Sequence, residues 1–106
     1  MPFVDYKGTR LEMDDDGFIV DPSLWDDDLA RFLAKHEEGI TDLTDDHWKV
    51  IRYLNEYYQE HEIAPMVRKL CKETGLKLRY IYELFPNGPA RGACKVAGLP
   101  KPTGCV

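Results

Sequence analysis

The stretch LTDDHWKVIRYLNEYY, residues 43–58, predicts a capped amphipathic helix. Thr44 stands at the N-cap position, where its hydroxyl can accept a hydrogen bond from a backbone N–H that the helix leaves unpaired. Leu43 and Trp48 have the spacing of a hydrophobic staple, which fixes the direction in which a chain enters a helix. Apolar side chains then recur at helical spacing, and the face expected to be buried carries Trp48, Ile51, Leu54 or Asn55, and Tyr58.

Upstream of this helix, the sequence predicts a β-hairpin. Residues 2–6 and 9–13 alternate apolar and polar side chains on either side of Lys7-Gly8, a pattern typical of a two-residue turn between strands. Because a two-stranded hairpin is marginally stable alone, we expect it to pack on helices.

Another helix is predicted between the hairpin and residue 40. Asp21 can cap it, Pro22 suits its first position, and Gly39 is expected near its end. The acidic runs at residues 14–16 and 26–28 lack the ligand spacing of a calcium-binding loop, and we interpret them as solvated surface. The apolar face of this helix carries Trp25, Leu29, Phe32, Leu33 and His36.

Three shorter helices follow. The first starts near Pro65 and ends at Gly75, the second is stopped by residues 86–88, and the last runs over residues 89–97 and carries Cys94. The faces expected to be buried are Val67, Leu70, Cys71 and Thr74 in the first, and Leu78, Ile81, Tyr82 and Phe85 in the second.

The predicted fold is mainly α, with about five helices in one compact domain and a small N-terminal β-hairpin. Residues 1–93 form the helical body, and residues 94–106 form a mobile C-terminal arm of the same domain. The helices that meet at residues 73–75 resemble a helix-turn-helix, but the chain has a net charge of −5, whereas DNA-binding domains are usually basic. We therefore expect this pair to be core architecture and DNA not to be a partner.

Charge is divided unevenly along the chain. Residues 1–63 hold seventeen acidic and six basic side chains, whereas residues 64–106 hold two acidic and eight basic ones, so the C-terminal end should attract anions. No apolar run approaches the ~20 residues that a membrane span needs. An odd count of three cysteines and no secretory signal favour a soluble protein of the cytoplasm.

The arm places a thiol next to the carboxyl terminus, where packing rarely needs one. The glycines and prolines of residues 98–104 exclude a helix or a central strand there. The eleven steps from Cys94 to Cys105 can extend roughly 35–40 Å, or fold back until the two Cα atoms lie within the ~4.4–6.8 Å of a disulfide. A structural disulfide and two incidental thiols remain alternative interpretations of this pair.

The surroundings of the two thiols suggest different roles. The carboxylate of Val106 disfavours a thiolate at Cys105, and Arg91 and Lys101 are the nearest cations that could favour one or attract an anionic substrate. Closing a loop of about a dozen residues costs roughly 3 kcal/mol of chain entropy, which suits a disulfide that forms and breaks. Cys105 would carry sulfur or attack, and Cys94 would resolve the product.

Other chemistries find little support. Cys71, Cys94, Cys105 and the three histidines lack the close pairing of a zinc site, so we expect no metal and no cofactor bound by this chain. No catalytic triad order, phosphate-binding loop or dinucleotide fingerprint is present. The protein is therefore not expected to be a stand-alone catalyst.

The arm, with Cys94 eleven positions before Cys105, resembles that of the DsrC family, the gamma subunits of dissimilatory sulfite reductase. The resemblance extends along nearly the whole chain. Its other marks are Asp14 to Asp21 with Gly17-Phe18, Trp25, His47-Trp48, Ile63-Ala64-Pro65, and Tyr82-Glu83-Leu84-Phe85-Pro86 with Gly88-Pro89.

This resemblance implies a sulfur-carrier function. Cys105 would enter a channel of the reductase formed by the alpha and beta subunits, which hold siroheme and iron–sulfur clusters, and would accept sulfur as a persulfide. Cys94 would close on it to give a trisulfide or disulfide, and a membrane-bound thiol/disulfide-type reductase complex would reduce the product. Outside such complexes, the chain is expected to be a monomer.

Related proteins of the tRNA-thiolation sulfur relay keep only the penultimate cysteine of this tail. The presence of both thiols here favours the sulfite-reductase branch. The alternatives are a relay acceptor of persulfide from sulfurtransferases, in sulfur oxidation or tRNA thiolation, a stand-alone thiol oxidoreductase, and a DNA-binding regulator. The direction of sulfur flow does not follow from these residues.

Overall fold

The computed structural model describes residues 3–100 of the chain. Two strands, β1 (Phe3–Tyr6) and β2 (Thr9–Glu12), are followed by a short 3₁₀ turn at Pro22–Leu24. The helices are α1 (Asp27–Glu38), α2 (Asp45–His61), α3 (Val67–Thr74), α4 (Leu78–Leu84) and α5 (Cys94–Val96), and a π-helical turn at Pro89–Ala93 leads directly into α5. The expected class, mainly helical with an N-terminal hairpin, is confirmed.

The hairpin forms as predicted. Strands β1 and β2 pair antiparallel, with Phe3 opposite Glu12 and the turn at Lys7 and Gly8. Both turn residues have positive φ, 50° and 77°, as the favoured two-residue hairpin turn requires. The hairpin region packs on α1 through a small apolar cluster made of Leu11, Met13, Ile19, Leu29 and Leu33.

The helix predicted from Pro22 is divided in two. Asp21 caps only the 3₁₀ turn, and Trp25 then has extended backbone, with φ −70° and ψ 135°. Asp26 caps α1 by accepting the backbone N–H three residues on at 2.8 Å. The prediction of one continuous helix from Pro22 is therefore wrong. A second capping carboxylate, Asp26, starts a new helix directly before the apolar residues of α1. The predicted end at Gly39 is confirmed, with φ 69°.

Helix α2 starts at its predicted cap. The Thr44 hydroxyl accepts the His47 N–H at 3.4 Å, and His47 Nδ1 accepts the Thr44 N–H at 3.0 Å, which completes a capping box. Trp48 and Tyr58 are half-buried, so the predicted face is displaced by part of a turn. The buried residues of α2 are His47, Val50, Ile51, Leu54 and Asn55.

Helix α3 has nearly the predicted bounds, but only part of its predicted face is buried. It begins at Val67, two residues after Pro65, and ends at Gly75, whose φ is 75°. Leu70 and Thr74 are buried, whereas Cys71 is half-buried rather than fully covered. Residues 75–77 join α3 to α4, and the expectation that this pair is core architecture and not a DNA-reading motif stays a prediction.

Helix α4 buries only part of its predicted face, since Ile81 and Phe85 are buried as predicted. Ile81 and Leu84 are buried, but Leu78 and Tyr82 are 41% and 51% exposed, so their expected burial is wrong. A helix of seven residues has room for only one narrow buried stripe, and here Phe85 extends that stripe just beyond the helix end.

The main core gathers around α5, which lies among α1, α2 and the π-helical turn. Its fully covered side chains include Phe18, Val50, Ile51, Leu54, Leu70, Ile81, Phe85, Val96 and Leu99. Within residues 3–100, no helix is both long and apolar enough to span a bilayer.

Candidate functional site at the start of the C-terminal arm

The structure describes two of the four predicted site residues. Cys94 is the first residue of α5, and Arg91 lies exposed in the π-helical turn before it. Lys101 and Cys105 lie outside the described residues.

The Cys94 thiol is part of the main core. Cys94 is 0% exposed and packs in the apolar cluster that contains Phe85 and Leu99. Burial raises the pKa of Cys94 to about 12, because an apolar environment penalises the charged thiolate. Near neutral pH this group is therefore a protonated thiol that is shielded from solvent.

The residues after Cys94 end α5 in a Schellman motif. The Leu99 N–H donates to the Cys94 carbonyl at 3.1 Å, and the Gly98 N–H donates to the Lys95 carbonyl at 3.1 Å. Gly98 adopts the left-handed conformation that this motif requires, with φ 81°. Leu99 is 1% exposed, so the chain remains packed to this residue.

Two side chains from distant parts of the sequence donate hydrogen bonds to the same helix end. Trp25 Nε1 donates to the Val96 carbonyl at 2.9 Å, and Asn55 Nδ2 donates to the Ala97 carbonyl at 2.9 Å. A Cβ on Gly98 would lie only 2.3 Å from Trp25 Cδ1, so no other residue fits there without movement. We call the Trp25 and Asn55 side chains, with the two carbonyls they hold, the clasp.

Lys95, the residue that follows Cys94, is a buried cation. Its residue is 8% exposed, and its Nζ lies 3.4 Å from Glu37 Oε1 and 5.3 Å from the centre of the Phe18 ring. The Glu37 carboxylate also contacts His36 Nδ1 at 2.6 Å. This ion pair ties α5 to the end of α1.

A second carboxylate at the end of α1 holds the turn that precedes α5. Glu38 accepts hydrogen bonds from the backbone and the side chain of Asn87. A Cβ on Gly92 would meet Glu38 Oε1 at 2.5 Å. Adjacent acidic residues of α1 thus hold α5, through Lys95, and Asn87, which lies two residues before the π-helical turn.

Sequence reasoning missed the clasp and the Lys95 ion pair. One signal for the clasp was present, since Asn55 is a polar residue on an otherwise apolar helical face, and a buried amide needs a hydrogen-bond partner. No sequence pattern pointed to Trp25 as a donor or to the burial of Lys95.

The described residues offer no metal centre. Across residues 3–100, no three His, Cys, Asp or Glu side chains lie close enough together to hold an ion.

Comparison with known proteins assigns the family. A family model described as "DsrC like protein" matches residues 5–106, which is nearly the whole chain. The chain belongs to the DsrC family. This agrees with the resemblance carried by the arm and by the motifs of the helical body.

Individual DsrC-family relatives match over their full length. The chain is 53% identical to the gamma subunit of dissimilatory-type sulfite reductase from Nitratidesulfovibrio vulgaris, over 100% of both chains. It is 44% identical to the sulfurtransferase TusE of Photorhabdus laumondii, over 95% of this chain and 96% of the relative. The crystal structure of the oxidised gamma subunit (DsrC) from Archaeoglobus fulgidus superposes with a TM-score of 0.87 at 47% identity, covering 99% of this chain and 100% of that one.

Proposed function

We propose that this protein is a sulfur-carrying co-substrate of dissimilatory sulfite reductase, in which Cys105 accepts sulfur and Cys94 resolves the product. The observation that carries the proposal is the full-length match to a gamma subunit of that enzyme in a chain with both arm cysteines. The alpha and beta subunits, with their siroheme and iron–sulfur clusters, would be the partners, and a cytoplasmic location fits this role.

The sulfur would pass from sulfite to the arm before its reduction is complete. The reductase supplies electrons from its own donor, and the oxygen atoms of sulfite leave as water. Sulfur then bonds to Cys105 Sγ, and the two thiols supply the remaining electrons as a second S–S bond to Cys94 completes a trisulfide. A membrane-bound thiol/disulfide-type reductase complex would return both thiols and release the sulfur as sulfide.

The burial of Cys94 supports this order of events. A covered thiol with a pKa of about 12 is a poor first acceptor, since the thiolate is the reactive form. Cys94 therefore reacts second, when sulfur has already been delivered to the arm and the thiol becomes accessible.

Intact mass spectrometry tests the proposal directly. The protein is incubated with sulfite reductase, sulfite and a reductant, and we expect the mass of one added sulfur atom less the two thiol hydrogens lost in the trisulfide. The gain should survive Cys71→Ala and disappear in Cys105→Ala, while Cys94→Ala should lose the internal bridge. Absence of any adduct in the wild-type protein contradicts the proposal.

Arg91 and Lys101 are proposed to assist by attracting anionic sulfur species and favouring the Cys105 thiolate. The exposure of Arg91 supports this, since its guanidinium is open to solvent near the start of the arm. Replacing both residues with Ala should slow alkylation of Cys105 at neutral pH. An unchanged rate removes the idea.

The 44% identity to TusE over nearly the full length favours one alternative, a sulfurtransferase relay. In that case, a persulfide-loaded sulfurtransferase would transfer one sulfur atom to Cys105 and Cys94 would not be needed. Incubation with such a donor, with sulfite reductase omitted, distinguishes the two functions, because equal loading of wild type and Cys94→Ala favours the relay.

A further inference from the structure

We propose that Trp25 and Asn55 are positioning residues that hold the end of α5 closed and so keep the Cys94 thiol buried until the clasp opens. The use of Cys94 as resolving thiol rests on the proposed function. The closure itself is a property of the isolated chain and can be tested without any partner.

Complete pairing of the helix end is the first argument. A helix leaves its last four carbonyls without partners inside the helix. In α5 the Schellman motif pairs the carbonyls of residues 94 and 95, and the clasp pairs those of residues 96 and 97. Removing a clasp donor leaves a carbonyl unpaired in the core.

The shortness of α5 is the second argument. A helix of three residues, even with one turn before it, has no stability of its own, because helix nucleation is unfavourable. Its conformation therefore depends on tertiary contacts at its end. When the end is released, the first residue, Cys94, loses the structure that covers it.

The geometry of the donors is the third argument. Asn55 Oδ1 accepts a hydrogen bond from Gln59 Nε2, which fixes the amide so that Nδ2 points to the Ala97 carbonyl. Trp25 packs so closely on Gly98 that a side chain there would displace the indole. Both donors are thus held in place for these carbonyls.

The clasp residues also lie beside a cleft. Trp25 and Asn55 line an open cleft of about 360 Å³ together with Tyr58 and Gln59. The two residues that donate the clasp hydrogen bonds therefore also form part of a cleft wall.

Alkylation of the full-length protein with iodoacetamide measures the opening, with the label located by peptide mass spectrometry. Trp25→Phe keeps an aromatic side chain and Asn55→Leu keeps a side chain of similar size, but each removes one hydrogen-bond donor. Each should raise the labelling rate of Cys94 about tenfold, since an unpaired buried carbonyl favours opening by about that factor. Labelling of Cys71 should change less than about twofold, because neither clasp hydrogen bond involves a residue of α3.

Glycine variants give a matched pair. Gly98→Ala and Gly39→Ala impose the same left-handed strain at a helix end, but only at Gly98 does the added Cβ meet a neighbour. Gly98→Ala should raise Cys94 labelling at least as much as the donor variants, and Gly39→Ala should leave it within about twofold.

Two results overturn the inference. One is unchanged Cys94 labelling in both donor variants, and the other is a parallel rise of Cys94 and Cys71 labelling, which reports global unfolding. Urea denaturation of the same variants shows whether global stability accounts for the change. If labelling is unaffected while sulfite reductase still loads sulfur, the inference fails and the proposed function stands.

Discussion

His47 donates its Nε2–H to the carbonyl oxygen of Leu84 at 2.9 Å and so joins the first turn of α2 to the last residue of α4. Its Nδ1 accepts the backbone N–H of Thr44, which can only donate, so the proton of the neutral ring must be on Nε2. One buried imidazole thus completes a helix cap and pairs a helix-terminal carbonyl.

Replacing this imidazole should be costly. His47→Phe loses the capping partner and leaves the Leu84 carbonyl unpaired, so we expect the free energy of unfolding to fall by about 2–4 kcal/mol. Urea denaturation followed by circular dichroism measures the change. His61→Gln is the control, since His61 is exposed and should change stability by less than about 0.5 kcal/mol. Equal stability of the two variants contradicts the prediction.

The burial of Cys94 should show in the pH dependence of alkylation. With a pKa of about 12, its thiolate fraction grows about tenfold per pH unit from pH 7 to 10 with no plateau. Free cysteine, the control, levels off above its ordinary pKa of about 8.5. A Cys94 alkylation rate that levels off near pH 9 in the folded protein would falsify the raised pKa. In urea the unfolded chain should show that levelling off, because the thiol is then exposed.

The same shift predicts alkaline loss of stability. The folded pKa lies above the unfolded one, so the folded state keeps its proton where the unfolded state has lost it. The stabilisation that the protonated Cys94 thiol gives to the folded state is fully present below about pH 8.5 and is lost as the pH rises towards 12. Wild type should lose more stability over this range than Cys94→Ala, as measured by urea denaturation at each pH. Parallel pH profiles for the two proteins contradict the shift.

The ion pair between Lys95 and Glu37 should be visible in a double-mutant cycle. Lys95→Met keeps the packed stem but leaves the carboxylate without its partner in α5, so we expect a loss of about 1–3 kcal/mol. Adding Glu37→Gln should recover about 1 kcal/mol, because the uncompensated charge is gone. Strict additivity of the two changes shows that the pair contributes nothing.

The two candidate caps near α1 should differ in importance. Asp26→Ala removes the side chain that accepts the Leu29 N–H in the first turn of α1 and should cost about 1 kcal/mol. Asp21→Ala, the matched change, affects only a three-residue turn and should cost less. The opposite order, read from thermal midpoints at one pH, supports a single helix from Pro22.

Local signals account for what the sequence predicted well. Thr44 as a cap, and Gly39 and Gly75 as helix ends, depend on hydrogen bonds within a few residues, and the structure confirms each of them. The division of the first helix was missed because Asp21 and Asp26 are both good caps. Nothing in their local sequence ranks one above the other.

The clasp depends on long-range contacts instead. Trp25 and Val96 are 71 residues apart, and Asn55 and Ala97 are 42 apart, so no spacing rule connects them. The burial of Cys94 follows from the packing of α5 between α1 and α2, whereas its sequence surroundings of Gly, Ala and Lys are those of an exposed segment as readily as of a core. Such features become visible only when the chain is folded.

Packing as far as Leu99 limits how deep a partner's reaction centre can lie. A fully extended chain spans at most roughly 20 Å over the six steps from Leu99 to Cys105, whereas the eleven steps from Cys94 would span roughly 35–40 Å. Under the proposed function, and with the clasp closed, the centre that delivers sulfur to Cys105 would have to lie within that distance of Leu99. The packing of Leu99 would then set the maximum depth of a channel in which Cys105 can react.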